Sequence, residues 1–315
     1  MTARLVMRMR VEAAEPSTPE VTVFTLVHPS RPALPEAPPG SHVDLRLPDG
    51  RVRQYSLCGD PADRSRWRVA VKREDAGRGG SRWCHESLSP GSPVLVSAPR
   101  NNFPLAAGAR RHVMVAGGIG VTPFAAMASH LAAAGGDFVL HFAARSAAAA
   151  PLLPELRASC GPRLVTWFGA EGRRFDPALL GPPEEGTHLY ACGPERLDAA
   201  VRGRAEALGW PPERVHFEVF RPALDESFKP EPFDVVLASS GETLRVPADR
   251  SALEVLRDHG LPVPSSCEAG VCGACVCGYR DGVVIHRDQA LPLGARQDRM
   301  TPCVSRARVS VTLEL

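Results

Sequence analysis

Cys267-Glu-Ala-Gly-Val-Cys272-Gly-Ala-Cys275 sets three thiols in a C-x4-C-x2-C run, and a fourth, Cys303, follows in Met-Thr-Pro-Cys-Val. Four thiolates at this spacing, three from one loop and one from a distant segment, fit the ligand pattern of a plant-type 2Fe–2S cluster. Gly270, Gly273 and Ala274 let the backbone close tightly and aim N–H groups at the sulfurs, which stabilises the reduced, more negative state. The competing readings are buried free thiols and a zinc site. Zinc loops usually carry two short Cys pairs, whereas here three cysteines share one glycine-rich loop.

Working outward, Phe233-Asp-Val-Val-Leu and Thr243-Leu-Arg-Val predict a hairpin across Ser240-Gly241. Ser251-Ala-Leu-Glu254 is a capping box that opens a short helix, which Gly260 closes. Gly282-Val-Val-Ile and Val309–Leu315 predict further strands after the cysteine loop. Arg221–Pro232 is rich in proline and charge, lacks hydrophobic periodicity and reads as a semi-rigid linker.

A chain of 315 residues predicts two or three domains. No apolar run approaches the roughly 18 residues a membrane helix needs. The start, Met-Thr-Ala-Arg-Leu-Val-Met, alternates like a strand and lacks a signal-peptide core. A net charge of +2 gives no argument for nucleic acid. Nine cysteines in an unsecreted chain read as metal ligands plus reduced thiols, so a cytoplasmic location is expected, with no membrane partner.

From Arg4 to about Leu105, short alternating runs separated by Pro/Gly-rich turns predict an antiparallel barrel or sandwich. Within it, Arg53-Gln-Tyr-Ser-Leu57 places an arginine and an aromatic ring on one strand face. Lys72 to Ser81 is a glycine-rich loop ahead of a helical segment, Arg82 to Leu88. Gly79 and Gly80 permit close backbone approach, and Ser81 as a cap would present free N–H groups to an anion. A phosphate site with Arg53 as counter-charge and an ordinary surface turn are both open on the residues alone.

R-x-Y-S followed by a loop ending Gly-Gly-Ser resembles the flavin-binding barrel of the ferredoxin–NADP reductase superfamily. The resemblance implies that Arg53, Tyr55 and Ser56 lie along the flavin and that Val71 and Lys72 line its ring or ribityl chain. It implies that Gly79, Gly80 and Ser81 hold the phosphate. G-R-G-G-S is similar to the loop of phthalate dioxygenase reductase-like members and implies FMN, with FAD as the alternative. Cys58 and Cys84 read as packing residues.

From Arg111 to Phe220, strands His112–Ala116, Phe138–Ala143, Leu164–Phe168, His188–Cys192 and Val215–Val219 alternate with helical segments. This predicts an α/β domain with a doubly wound parallel sheet. The first strand runs into Gly117-Gly-Ile-Gly120-Val-Thr122-Pro123, with Thr122 the expected N-cap and Pro123 the N1 residue. The third glycine of a dinucleotide fingerprint is missing, and no acidic residue ends the second strand, which reads Ala143-Ala-Arg145-Ser146.

Gly117, Gly118, Gly120 and Thr122, with Cys192, Gly193 and Pro194, resemble the nicotinamide-binding edges of the same reductases, which implies that Thr122 and Cys192 flank the nicotinamide. Phe220 is implied at the nicotinamide/flavin contact, its alternative being a core aromatic closing the last strand. The resemblance implies NADH; Arg145, Arg173 and Arg174 keep NADPH open, since arginines can accept a 2′-phosphate.

The strands around one helix with the cysteine loop resemble a β-grasp ferredoxin. Against that pattern Cys277 reads as a non-ligand and Cys160 as structural. The expected organisation is a flavin barrel at 1–106, a nicotinamide domain at 107–221, a linker at 222–232 and a 2Fe–2S ferredoxin domain at 233–315. That order resembles phthalate dioxygenase reductase and the vanillate demethylase reductases along the whole chain. It implies an enzyme passing electrons from NADH through FMN and the cluster, at a potential near about −400 mV, to a Rieske-type oxygenase or demethylase. A haem-thiolate monooxygenase as acceptor, and a non-catalytic redox carrier or sensor, are the alternatives.

Overall fold

The computed structural model describes residues 5–220 and 227–315. Residues 1–4 of the expected N-terminal strand and 221–226 of the expected linker lie outside these. The chain divides into two compact units, the first ending at Glu218 and the second beginning at Val219.

The first unit opens with β1 (Val6–Thr18), β2 (Val21–Val27), β3 (Ser41–Arg46), β4 (Val52–Ser56) and β5 (Trp67–Lys72). Helix α1 (Gly80–Ser87), β6 (Pro93–Ser97) and the short β7 (Arg100–Asn101) follow. The strands pair antiparallel in the order β4-β3-β6-β1-β2-β5, with β7 beside β3. A bridge between Leu57 and Val69 joins the two ends into a barrel. The period-2 pattern explains its filling: Met7, Met9 and Val11 alternate inward along β1 and meet Phe24, Leu26, Val43 and Leu45.

β8 (Arg111–Gly117), α2 (Thr122–Ala133), β9 (Asp137–Ala144), α3 (Leu153–Cys160), β10 (Leu164–Phe168), β11 (Thr187–Cys192), α4 (Glu195–Ala207) and β12 (Val215–Phe217) complete the unit. Their sheet is all parallel, in the order β10-β9-β8-β11-β12. The chain reverses winding direction between β8 and β11, so their C-terminal ends frame the crevice where open parallel sheets bind ligands. Barrel and sheet share one core. Val21, Val23, Ala70 and Phe103 pack in a cluster with Met114, Phe124, Met127 and Tyr190, each large side chain contributing about 1.5–3 kcal/mol by burial. The Tyr190 hydroxyl also accepts from the Ala106 N–H at 2.8 Å.

Two expected caps are corrected. A 3-10 turn, Gly118–Val121, runs directly into α2, so Thr122 is already helical and Val121 occupies the cap position. The Thr122 hydroxyl instead donates back to the Ile119 carbonyl at 3.1 Å. Likewise α1 begins at Gly80 with left-handed Gly79 as its cap, and the Ser81 hydroxyl accepts from the Glu74 N–H at 3.1 Å.

In the second unit, residues 227–232 form no regular element and lead into β13 (Phe233–Leu237) and β14 (Thr243–Val246). α5 (Ala252–Asp258), β15 (Cys277–Ile285), β16 (Arg299–Met300) and β17 (Arg306–Leu313) follow. The sheet order is β14-β13-β17-β15-β16, with β13 and β17 parallel and the other pairs antiparallel. This mixed sheet carrying one helix is the β-grasp arrangement expected. The capping box is complete: Ser251 accepts from the Glu254 N–H and Glu254 accepts from the Ser251 N–H. α5 packs Ala252 and Leu256 onto Phe233, Val235 and Val311.

Candidate functional site

On the barrel, β4 delivers Arg53, Tyr55 and Ser56. The Arg53 side chain is buried (8% exposed) and donates to the carbonyls of Val52 at 2.8 Å and Arg78 at 3.0 Å. Arg51 donates to the same Arg78 carbonyl. These arginines explain two glycines: a Cβ on Gly80 would lie 2.5 Å from Arg53 Cγ, and one on Gly79 2.7 Å from Arg51 Nη1. The opening turn of α1, with its unpaired N–H groups, therefore lies against two guanidinium groups. The phosphate of a flavin mononucleotide fits that chemistry.

Tyr55 Oη and Cys84 Sγ are 3.8 Å apart. Burial raises the tyrosine well above its ordinary value and pushes the Cys84 thiol up to about 11. The Val71 side chain points into the barrel core, and its carbonyl lies 2.9 Å from His85 Nε2. Lys72 pairs with Glu74 at 2.9 Å and Glu20 at 3.7 Å.

At the sheet crevice, two glycine turns interlock. A Cβ on Gly120 would sit 2.3 Å from the Cys192 carbonyl oxygen, and one on Gly117 2.6 Å from Pro194 Cδ. One on Gly193 would lie 2.9 Å from Leu197 and 3.2 Å from the Gly117 backbone. Thr122 and Cys192 are buried beside them. Burial, reinforced by the nearby charges of Glu218 and Asp198, holds the Cys192 thiol well above its ordinary pKa. Arg145 is ion-paired with Glu20 at 2.6 Å, and Arg173 lies over the Trp167 ring. Phe220, 38% exposed, falls in the second unit.

Sequence reasoning missed Glu218. It follows β12, its N–H donates to the Ala191 carbonyl at 3.0 Å, and its carboxyl accepts from Ser56 Oγ at 3.4 Å. Burial raises that carboxyl to about 8, against the pull of the Ser56 hydrogen bond. Ser56, Glu218 and Cys192 thus bring barrel and sheet together at one point. A carboxylate within the otherwise apolar Phe217-Glu-Val-Phe220 was the available signal.

In the second unit, the four expected thiols pair two by two. The Cys275 thiol donates to Cys303 Sγ at 3.3 Å, and the Cys267 N–H to Cys272 Sγ at 3.4 Å. The hydrogen bond from its partner thiol lowers Cys272 to about 6 and likewise lowers Cys275. Among the described residues, no three His, Cys, Asp or Glu side chains converge as ligands of a single ion would. Two pairs side by side fit a dinuclear cluster. Backbone N–H groups of Ala269 and Val271 point at Cys267, that of Ala274 at Cys272 and that of Gly270 at Cys303. Glu268 takes a left-handed φ of 51°, and Arg257 holds its carboxylate at 2.5 Å. Cys277 lies on β15 in the sheet core, 3.9 Å from the Met300 carbonyl. Burial pushes its thiol up to about 12.

Residues 235–308 match the family model described as a 2Fe-2S iron-sulfur cluster binding domain. The chain is 43% identical over 298 residues to the heme-dependent oxidative N-demethylase beta subunit of Ectopseudomonas mendocina (strain ymp), covering 95% of each. It is 41% identical to the vanillate O-demethylase oxidoreductase of Pseudomonas putida, covering 85% of this chain and 87% of that one. A solved phthalate dioxygenase reductase superposes with a TM-score of 0.85 at 36% identity, covering 98% of both chains. The chain therefore belongs to the phthalate dioxygenase reductase and vanillate O-demethylase oxidoreductase family, oxidoreductases that transfer electrons to an oxygenase or demethylase component.

Proposed function

We propose that this chain oxidises NADH at an FMN held by the barrel and delivers the electrons through a 2Fe–2S cluster to the terminal component of a Rieske-type oxygenase or demethylase. When bound, the nicotinamide supplies a hydride, the flavin divides it into single electrons and the cluster carries them out. The observation that carries this reading is the convergence of Ser56, Cys192 and Glu218 beside the interlocked glycine turns. Gly79, Gly80 and Ser81 hold the flavin phosphate, with Arg53 as counter-charge, and Tyr55 and Ser56 lie along the flavin. Val71 contributes through its backbone and Lys72 through its ammonium. Gly117, Gly118, Gly120, Thr122, Cys192, Gly193 and Pro194 shape the nicotinamide crevice. Glu218, its pKa raised to about 8 by burial, holds a proton at neutral pH while its Oε2 accepts from Ser56 Oγ.

NADH is favoured over NADPH because Arg145 is already engaged by Glu20 and Arg173 by Trp167. Cys267, Cys272, Cys275 and Cys303 ligate the cluster. The boundaries near residues 106, 221 and 233 and a cytoplasmic location belong to the same proposal. No helix among the described residues is long and apolar enough to cross a membrane.

A haem-containing acceptor is the second reading, favoured by the similarity to the heme-dependent N-demethylase subunit. The purified chain tests the first reading directly. Its visible spectrum should show flavin and iron–sulfur bands, mass spectrometry of the released flavin should give FMN, and ferricyanide reduction should run faster with NADH than NADPH. Stoichiometric FAD would overturn the flavin assignment, and absence of iron–sulfur absorbance would overturn the electron path.

A further inference from the structure

The second unit contains a cavity of about 200 Å³ lined by Pro230, Arg250, Ser251, Arg287, Cys303 and Arg306. One wall is the segment carrying the fourth thiol, and the others bring three guanidinium groups together. Arg250 is matched by Asp258. Among the described residues Arg287 has no such match: it lies over the Phe228 ring, 4.1 Å from the centroid, and the neighbouring Asp288 faces His286 and Arg296 instead.

Arg306 is 6% exposed, and its Nη groups donate to the carbonyls of Arg250, Pro247 and Glu231 at 2.8–2.9 Å. Its Nε has no hydrogen-bond partner among the described residues. Carbonyls satisfy hydrogen bonds but do not cancel a unit charge, so the guanidinium remains an uncompensated buried cation. Its pKa is lowered by burial and then by the charge of Arg287, opposed by Asp249. One exposed carboxylate thus faces two unmatched guanidinium groups in a cavity large enough for a side chain.

We propose that this cavity receives a carboxylate side chain of the terminal oxygenase or demethylase component and anchors that partner beside Cys303. The proposal rests on the reading above in which the cluster is the exit for electrons. Arginine's planar fork matches a carboxylate two bonds at a time, and a cationic pocket steers an acidic partner during encounter. Anchoring beside a cluster ligand brings the acceptor to the side of the unit that carries the electrons.

The test uses the full chain with its cofactors and, as probe, a fluorescently labelled acetyl-hexaglutamate amide at low ionic strength. Arg287→Glu should weaken binding by about tenfold or more, whereas Arg308→Glu, the same charge change at an exposed position of β17, should weaken it less than about twofold. Arg306 is left intact because it holds three carbonyls and its loss endangers folding. Equal weakening by both variants, or no binding by the unmodified chain, overturns the proposal. Displacement by inorganic phosphate at the same concentration as the glutamate side chains also overturns it, since the site would then take free anions. NADH-driven ferricyanide reduction by the same samples should be unchanged by Arg287→Glu. Its failure in the unmodified chain would count against the electron path, not the docking site.

Discussion

At the end of β8, Gly117 and Gly120 carry no left-handed φ; they are glycine because a Cβ would strike Pro194 and the Cys192 carbonyl. In the cysteine loop, Gly273 has room for a Cβ, which would make ordinary contacts at 3.7 Å or more, but a φ of 67°. The first turn needs glycine for approach between two strands, and the second needs it for backbone shape. A glycine in a motif therefore names no single cause. The cause determines whether a substitution disrupts a distant strand or only its own loop.

The sharpest break in the comparison removes a thiol rather than a turn. Cys303→Ser should abolish the iron–sulfur absorbance while leaving flavin absorbance, and Cys277→Ser should retain both. Loss of the cluster in Cys277→Ser would mean that its place in the sheet core is not the working one. Next in size, Gly120→Ala forces a methyl to 2.3 Å from a backbone oxygen. It should destabilise the first unit by about 3 kcal/mol in urea unfolding and suppress NADH-driven ferricyanide reduction. Gly273→Ala meets only ordinary van der Waals contacts at 3.7 and 3.8 Å and should cost only about 1–2 kcal/mol for its left-handed φ, with the four thiols still loading iron. If the two alanines cost the same, the distinction between approach and shape fails.

The smallest effect concerns the proton on Glu218. Burial raises this carboxyl from 4.5 to about 8, so across that range the folded chain holds a proton the unfolded chain has released. Its contribution is complete below about pH 4.5 and is lost as pH rises through about 8. Because the carboxyl is part-exposed and relaxes when charged, the loss between pH 5 and pH 8 should be about 1–2 kcal/mol. Glu218→Gln should remove that slope in urea unfolding at the two pH values. An unchanged slope would place the proton elsewhere.

The grouping of the four thiols and most strands were legible because each is written locally, in a spacing or an alternation of period 2. Thr122 and Ser81 were misplaced as caps for a related reason. The cap rule sees the residue type but not the 3-10 turn that carries the helix back to Gly118, nor the Glu74 amide that occupies the Ser81 hydroxyl. Glu218 was invisible because its hydrogen-bond partner, Ser56, lies 162 residues earlier in the chain. The Glu20–Arg145 pair is similarly non-local, spanning 125 residues. Charge partners joined across the fold leave no period to read.

The apolar cluster shared by barrel and parallel sheet bears on how such chains can be recombined. A chimera exchanging only the first 106 residues would set foreign side chains against Met114, Phe124 and Tyr190, where Val21, Val23 and Phe103 now interlock. Exchange at Val219 keeps each unit's own apolar cluster whole. Grafting should therefore succeed with the two flavin-side layers moved as one piece, leaving the ferredoxin portion as the interchangeable plug.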